Sequence, residues 1–315
     1  MSANFQIVEV PQDAPHASEQ MGTKPKFWFL DDGIDFLFKE GRQGTGEDWA
    51  EKVAEQLAAL LEMPHAEYEL AVFGDKRGTI SRSFLPKGAS FSPGNELLGL
   101  WVQSYPTEPV HYRLSQHTLE KVTSAIDLRS ENVRVVQLPV GFTGFEGVAS
   151  AIDVFVGYLM LDCWIGNTDR HDENWGWVLV PSPPNGMRLH LAPTFDHASS
   201  LGAHALDVEK SDRLATKDKR RSVMKYVEKA RSAIYLNEGD RKPLTTLETF
   251  RLACADNQTA AKAWLRKLSD VSTEAVYNVL DRVPPERMTP TSVEFAMKML
   301  ELNRTRLLQL QEHLT

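Results

Sequence analysis

Apolar residues fall into two rhythms along this chain, and the change from one to the other divides it. Two short apolar runs, Phe27–Leu30 and Ile34–Lys39, flank Asp31-Asp32-Gly33. An Asp-Gly step between β-rich runs predicts a hairpin. A helical rhythm follows over 46–61, where Ala50, Val53, Ala54, Leu57, Leu60 and Leu61 recur on one face and Pro64 lies just past the end. Two more strand-like runs, Tyr68–Phe73 and Thr79–Leu85, are joined by the turn-rich Gly74–Gly78. Residues 21–90 thus predict β-β-α-β-β, a small antiparallel sheet with one helix packed on it. Residues 1–20 are polar, contain Pro11 and Pro15, and are expected to be a flexible lead or a single strand.

From residue 91 to 315 the helical rhythm dominates. Helices are expected over 94–103, 115–126, 147–165 and 218–235, with three or four more between 244 and 312. The interruption is 166–202, where polar loop residues alternate with strand-like Trp175–Val180 and Arg188–Leu191. A sheet lobe, a helical lobe and one polar strand-loop insert leave a cleft between lobes, where ligands commonly bind.

Composition narrows the class. With 42% hydrophobic and 25% charged residues the chain can bury a core, so disorder throughout is excluded. The net charge of -8 argues against a general nucleic-acid-binding surface. The basic stretch 210–229 is read as a solvated helix face. Cys163 and Cys254 are far apart and fit neither a disulfide framework nor a zinc site. The lack of a long apolar run or a signal-peptide pattern predicts no membrane insertion and a cytoplasmic protein.

The densest chemistry is Gly166-Asn167-Thr168-Asp169-Arg170-His171-Asp172-Glu173-Asn174, directly after an apolar helix, followed by Phe195-Asp196-His197 after the second strand of the insert. Phosphoryl transfer needs a carboxylate for the attacking hydroxyl, oxygen ligands for magnesium and a cation on the phosphates. Asp169 would be the base, Asn174 and Asp196 the magnesium ligands, and Lys39 the cation. Glu51 and Glu55 share a helix face and either could pair with Lys39; Glu51 is preferred. Two other readings stand beside this one. The cluster could be a helix-capping loop, or His171 and His197 could hold a transition metal with Asp169 and Asp196.

The segment LDCWIGNTDRHDENWG, residues 161–176, resembles the catalytic loop of HipA-like serine/threonine kinases, a family related in fold to the phosphatidylinositol 3/4-kinases. The resemblance spans roughly residues 20–205. It implies an α+β, bilobal protein-kinase-like fold and ATP and Mg2+ as cofactors. It assigns Asp169, with His171 in the same motif, to catalysis, Asn174 and Asp196 to metal, and Lys39 and Glu51 to nucleotide binding. It also places a phosphate loop at Met21–Lys26, hence Gly22 and Thr23, with Thr23 or Ser18 open to autophosphorylation. Adenine recognition falls on Ser83, Phe84 and Leu85. The N-terminal subdomain with which the founding toxin engages its antitoxin has no counterpart before Lys26, so any antitoxin is expected to bind differently or to be supplied as a separate chain. The expected activity is Ser/Thr phosphorylation of a protein. A small-molecule or lipid-headgroup kinase and a nucleotide-binding pseudokinase remain as alternatives.

Overall fold

The computed structural model describes residues 3–15, 17–18, 25–103, 105–106, 114–130, 133–184 and 186–312. Gly22 and Thr23 lie outside them. The first lobe contains β1 (Ile7–Glu9), β2 (Ala17–Ser18), β3 (Lys26–Asp31), β4 (Ile34–Glu40), α1 (Glu47–Leu60), β5 (Tyr68–Phe73) and β6 (Lys76–Arg82). The strands form one sheet in the order β1-β5-β6-β4-β3-β2. Asp32 and Gly33, both at positive φ, close the β3–β4 hairpin. The β5–β6 turn is tighter than the sequence suggested, because β6 already begins at Lys76.

The sheet is not wholly antiparallel. β1 pairs in parallel with β5, Val8 opposite Ala71, so part of the N-terminal lead is an edge strand of this lobe. Three residues are too few for a periodic signal, and only the partner strand selects them.

The second lobe runs through β7 (Ser90–Pro93), α2 (Gly94–Trp101), α3 (Leu119–Ile126), β8 (Arg129–Ser130), β9 (Val133–Arg134), β10 (Val136–Gln137), α4 (Ala151–Ile165), β11 (Gly176–Pro181) and β12 (Met187–Leu191). It ends in α5 (Asp207–Ala215), α6 (Val223–Glu228), α7 (Thr246–Asp256), α8 (Gln258–Asp270), α9 (Thr273–Asp281) and α10 (Pro290–Gln311). β11 and β12 are the expected hairpin, and β7 and β10 extend it to a four-stranded sheet in the order β10-β12-β11-β7.

α4 is the core of this lobe. It is apolar on every side and buried at every position except Asp153, as a helix enclosed by others must be. Its start is set by a capping box between Ser150 and Asp153, its end by Gly166 in the left-handed region. The helix expected over 218–235 does not form. Between α5 and α6, Thr216 Oγ1 accepts the Asp218 N–H and the Asp218 carboxylate accepts the Arg220 N–H. These local bonds compete with helix hydrogen bonding, and Ser222 then caps a new short helix. The basic stretch is mostly exposed as expected, but Lys210 is buried, with Nζ donating to Ser292 Oγ at 2.7 Å.

The C-terminal helices brace the insert and the first lobe. Asn303 of α10 donates to the Trp164 carbonyl at 3.1 Å, at the end of α4. Arg287, just before α10, is buried against Asp48 of α1 at 2.7 Å.

Candidate active site

The cleft between the lobes is organised around one buried ammonium. Lys39, near the end of β4, has its Nζ 3.0 Å from Glu51 Oε1 and 2.5 Å from Asp196 Oδ1. α1 packs on the sheet and brings Glu51 there, and the other oxygen of Glu51 accepts the His197 N–H at 2.7 Å. Burial pulls the Lys39 ammonium down, but Asp196 and Glu51 outweigh it and hold its pKa well above the ordinary lysine value. Asp196 has φ 55, a left-handed backbone that few residues besides glycine, asparagine and aspartate adopt. The Asp196 N–H donates to Tyr68 Oη at 3.0 Å, which helps hold that turn.

Gly78 on β6 lies against Lys39 itself: an added Cβ would stand 2.2 Å from the Lys39 carbonyl oxygen. Gly78→Ala is therefore expected to push β4 outward, costing about 1–3 kcal/mol of stability. Nucleotide affinity should fall with it, since the displaced backbone carries the ammonium. A melting curve and a nucleotide titration of the same variant check both.

Glu55, the other candidate partner, is one turn further along α1 and engaged elsewhere. Its carboxylate is 3.0 Å from Lys52 Nζ and 3.5 Å from His65 Nε2. Burial works against the His65 imidazolium, yet the hydrogen bond to Glu55 raises its pKa above the ordinary value. Burial likewise opposes the Glu55 carboxylate, and His65 and Lys52 nonetheless lower its pKa. The stabilisation from His65 is complete below the ordinary imidazole pKa of about 6.5 and is lost as pH rises through the higher folded value. That from Glu55 is present above about pH 4.3 and is lost as pH falls through its lowered folded value. The stability gap between wild type and His65→Gln should therefore be widest near pH 5–6 and shrink towards pH 9, measured by denaturant titration.

The polar loop after α4 is built on Asp162, a carboxylate inside the apolar helix. Asp162 accepts Arg170 Nε and Nη2, both at 2.8 Å, and Asn167 Nδ2 at 2.8 Å. Arg170 is 1% exposed and also donates to the Asn174 carbonyl at 2.7 Å and to Thr194 Oγ1 at 2.9 Å. One guanidinium thus joins the end of α4, the loop and the segment leading to Asp196. The sequence reading missed both residues, although a charge inside a buried helix must find a partner.

On this frame Asp169 and Asn174 face the cleft. The Asp169 N–H donates to Asn167 Oδ1 at 3.1 Å, and Asn174 Nδ2 donates to the Asp169 carbonyl at 2.7 Å. With that amide nitrogen engaged, Asn174 Oδ1 and the Asp196 carboxylate are oxygen donors in the cleft lining of the hard kind that magnesium takes. His171 Nε2 is 4.0 Å from Asp169 Oδ1. His171 Nδ1 accepts the Glu173 N–H at 3.2 Å and lies 3.8 Å from Asp172 Oδ1, and Asp172 accepts Tyr105 Oη at 2.6 Å. Burial opposes the His171 imidazolium, but Asp172 and Asp169 raise its pKa.

His197 is engaged with Thr194 and Arg170. Its Nε2 is 2.8 Å from Thr194 Oγ1 and 3.3 Å from Arg170 Nη2. Burial and the Arg170 charge keep it neutral, with a pKa well below the ordinary value. Among the described residues no cluster of three or more His, Cys, Asp or Glu side chains is placed to hold a metal ion, and the Arg170 cation occupies the side of His197 that the transition-metal reading needs.

The cleft measures about 340 Å3 and is lined by Lys39, Asp169, His171, Asn174 and Asp196 on its polar side. Lys26, the last residue of the segment the resemblance gives as a phosphate loop, lines it too, as does Arg42, which nothing in the sequence singled out. Ser83, Phe84 and Leu85 line the opposite wall. The Ser83 N–H is taken by the Asp35 carbonyl at 2.9 Å, and the Leu85 N–H faces Ser83 Oγ at 3.4 Å. Phe84 packs with Phe91 and Phe195, ring centroids 5.5–5.7 Å apart, which gives a flat heteroaromatic ring an apolar wall. Ser18 lies on β2 opposite Phe27.

Neither protein-family models nor curated protein sequences match the chain. Solved structures do. The Helicobacter pylori proinflammatory kinase CtkA aligns with a TM-score of 0.74 at 18% identity, covering 98% of each chain. HipA of a Shewanella oneidensis toxin–antitoxin system, solved with HipB and its operator DNA, aligns with a TM-score of 0.53 at 13% identity. That alignment covers 95% of this chain and 66% of HipA. At these identities the likeness is one of fold, and the fold is kinase-like and bilobal. Among the described residues no helix is long and apolar enough to cross a membrane.

Proposed function

We propose that this chain transfers the γ-phosphoryl group of ATP, with magnesium, to a serine or threonine hydroxyl of a protein. The observation that carries the reading is Lys39 held between Glu51 and Asp196 in a cleft that Asp169 and Asn174 also line. The same cleft offers an apolar wall for a ring, a cation for phosphates, oxygen donors for a metal and a carboxylate for an acceptor, the set that transfer from a nucleoside triphosphate needs.

Each group has a distinct task. The aromatic wall at Phe84, Phe91 and Phe195 takes the base. Lys39, oriented by Glu51, binds the non-transferred phosphates. Asn174 and Asp196 would hold magnesium, which neutralises phosphate charge when bound. Asp169 accepts the proton of the attacking hydroxyl as the bond to phosphorus forms and the bond to the β-phosphate oxygen breaks. His171 lies next to Asp169 and Asp172, where it orders the loop.

A separate antitoxin chain as partner rests on the likeness to HipA, which was solved with HipB. Co-purification of a small companion chain with the full-length protein tests it, and purification alone from its native host counts against it.

Radiolabel transfer from γ-labelled ATP, with and without cell extract, tests the activity. Label on this chain or on an extract band is the expected result. ATP consumption without labelled protein would move the acceptor to a small molecule. Asp196→Ala is expected to weaken nucleotide binding in magnesium by about tenfold, while leaving the weaker magnesium-free binding little changed, because it removes a charged oxygen ligand. Titrations with and without magnesium measure this, and an unaltered magnesium dependence removes Asp196 from the metal site.

A further inference from the structure

We propose that Ser199 is a positioning residue for the transfer, orienting the Asp169 carboxylate from behind so that Oδ1 meets the acceptor hydroxyl. This rests on the reading of Asp169 as the base. The backbone of Asp169 is held on both sides, by Asn167 Oδ1 at its N–H and Asn174 Nδ2 at its carbonyl. Neither bond fixes the side-chain torsions, so the carboxylate needs a restraint of its own. Ser199 supplies it: its Oγ donates to Asp169 Oδ2 at 3.3 Å. The imidazole of His171 is 4.0 Å from Oδ1, beyond hydrogen-bond reach.

Ser199 is itself anchored. Its carbonyl accepts the Thr168 N–H at 3.2 Å and Thr168 Oγ1 at 3.3 Å. The loop bearing Asp169 and the segment after Asp196 are thus joined in both directions. Asp169 lines the cleft, while Ser199 is half-buried and outside the described lining. The acceptor therefore approaches Oδ1 from the cleft while Oδ2 stays with the serine. Since Ser199 follows Asp196 by three residues, one short segment sets both the metal-binding carboxylate and the angle of the base.

A base misaimed by a fraction of an ångström loses rate without losing substrate, which gives the test its form. Initial rates of ADP release from MgATP are measured with casein as acceptor and with water alone, for wild type, Ser199→Ala, Ser199→Thr and Asp169→Asn. Ser199→Ala is expected to lower kcat roughly 10-fold with the KM for ATP within about twofold, and Ser199→Thr, which keeps the hydroxyl, to recover most of it. An unfolding scan of each variant separates this from loss of fold, because a merely structural serine would change melting temperature or KM instead. Full kcat in Ser199→Ala beside an inactive Asp169→Asn overturns the positioning role alone. Retained turnover in Asp169→Asn overturns the assignment of the base, and the positioning role with it. Phosphate found on Ser199 after turnover by wild type would make it an acceptor and also overturn the proposal.

Discussion

Asp169→Asn is expected to reduce phosphoryl transfer by about a thousandfold, within the range a positioned general base contributes. The substitution is isosteric and removes the negative charge, and with it the ability to accept a proton. The bonds that hold the backbone of residue 169, to Asn167 and Asn174, survive the change, and the amide oxygen can still accept the Ser199 hydroxyl. Lys39, Glu51 and Asp196 are untouched, so ATP affinity should stay within about twofold. Single-turnover transfer and an equilibrium nucleotide titration together decide the matter. Lost transfer with intact binding identifies a residue that acts in the chemical step. Parallel loss of both would mean that the loop has collapsed, and wild-type transfer would end the case for Asp169 as base.

Asp162→Ala is expected to destabilise the fold by about 3–5 kcal/mol, the range for removing one partner of a buried ion pair. The carboxylate is 3% exposed and receives three hydrogen bonds, two from Arg170 and one from Asn167. Its removal strands a guanidinium that is 1% exposed, with no water to replace the lost oxygens. Since Arg170 also binds the Asn174 carbonyl and Thr194, the loop bearing Asp169 and the approach to Asp196 should loosen together. Urea unfolding measures the first effect, and amide hydrogen exchange across residues 166–200 the second. A loss below about 1 kcal/mol would mean that Arg170 finds other partners and that the pair does not organise the loop.

Much of the frame was legible because it is written over short distances. The β3–β4 hairpin follows from Asp32-Gly33, α1 from its apolar repeat, and α4 from an unbroken apolar run ended by a glycine. The candidate site was legible in outline for a similar reason: Asp169 and Asn174 share one loop, and Asp196 follows the hairpin that comes after it. Where local signals competed, the reading slipped. At 216–222 side-chain bonds to the backbone displaced the expected helix, and periodicity cannot register such bonds.

Other features belong to tertiary structure alone. Periodicity placed Glu51 and Glu55 on one face of α1. Lys52 meets Glu55 within α1 itself, three residues apart, but only the packing of α1 on the sheet set His65 beside Glu55 and left Glu51 for Lys39. β1 is too short to be seen until β5 stands beside it, and Arg287 meets Asp48 only when the C-terminal helices fold back on the first lobe. Asp162 with Arg170, and Ser199 with Asp169, pair through a loop whose path no spacing rule predicts. Turns and helical faces are determined by residues a few positions apart, so the sequence by itself specifies them. Which charges end up together depends on which are buried together, because a charge taken out of water must be paired, and burial is decided only when the whole chain has packed.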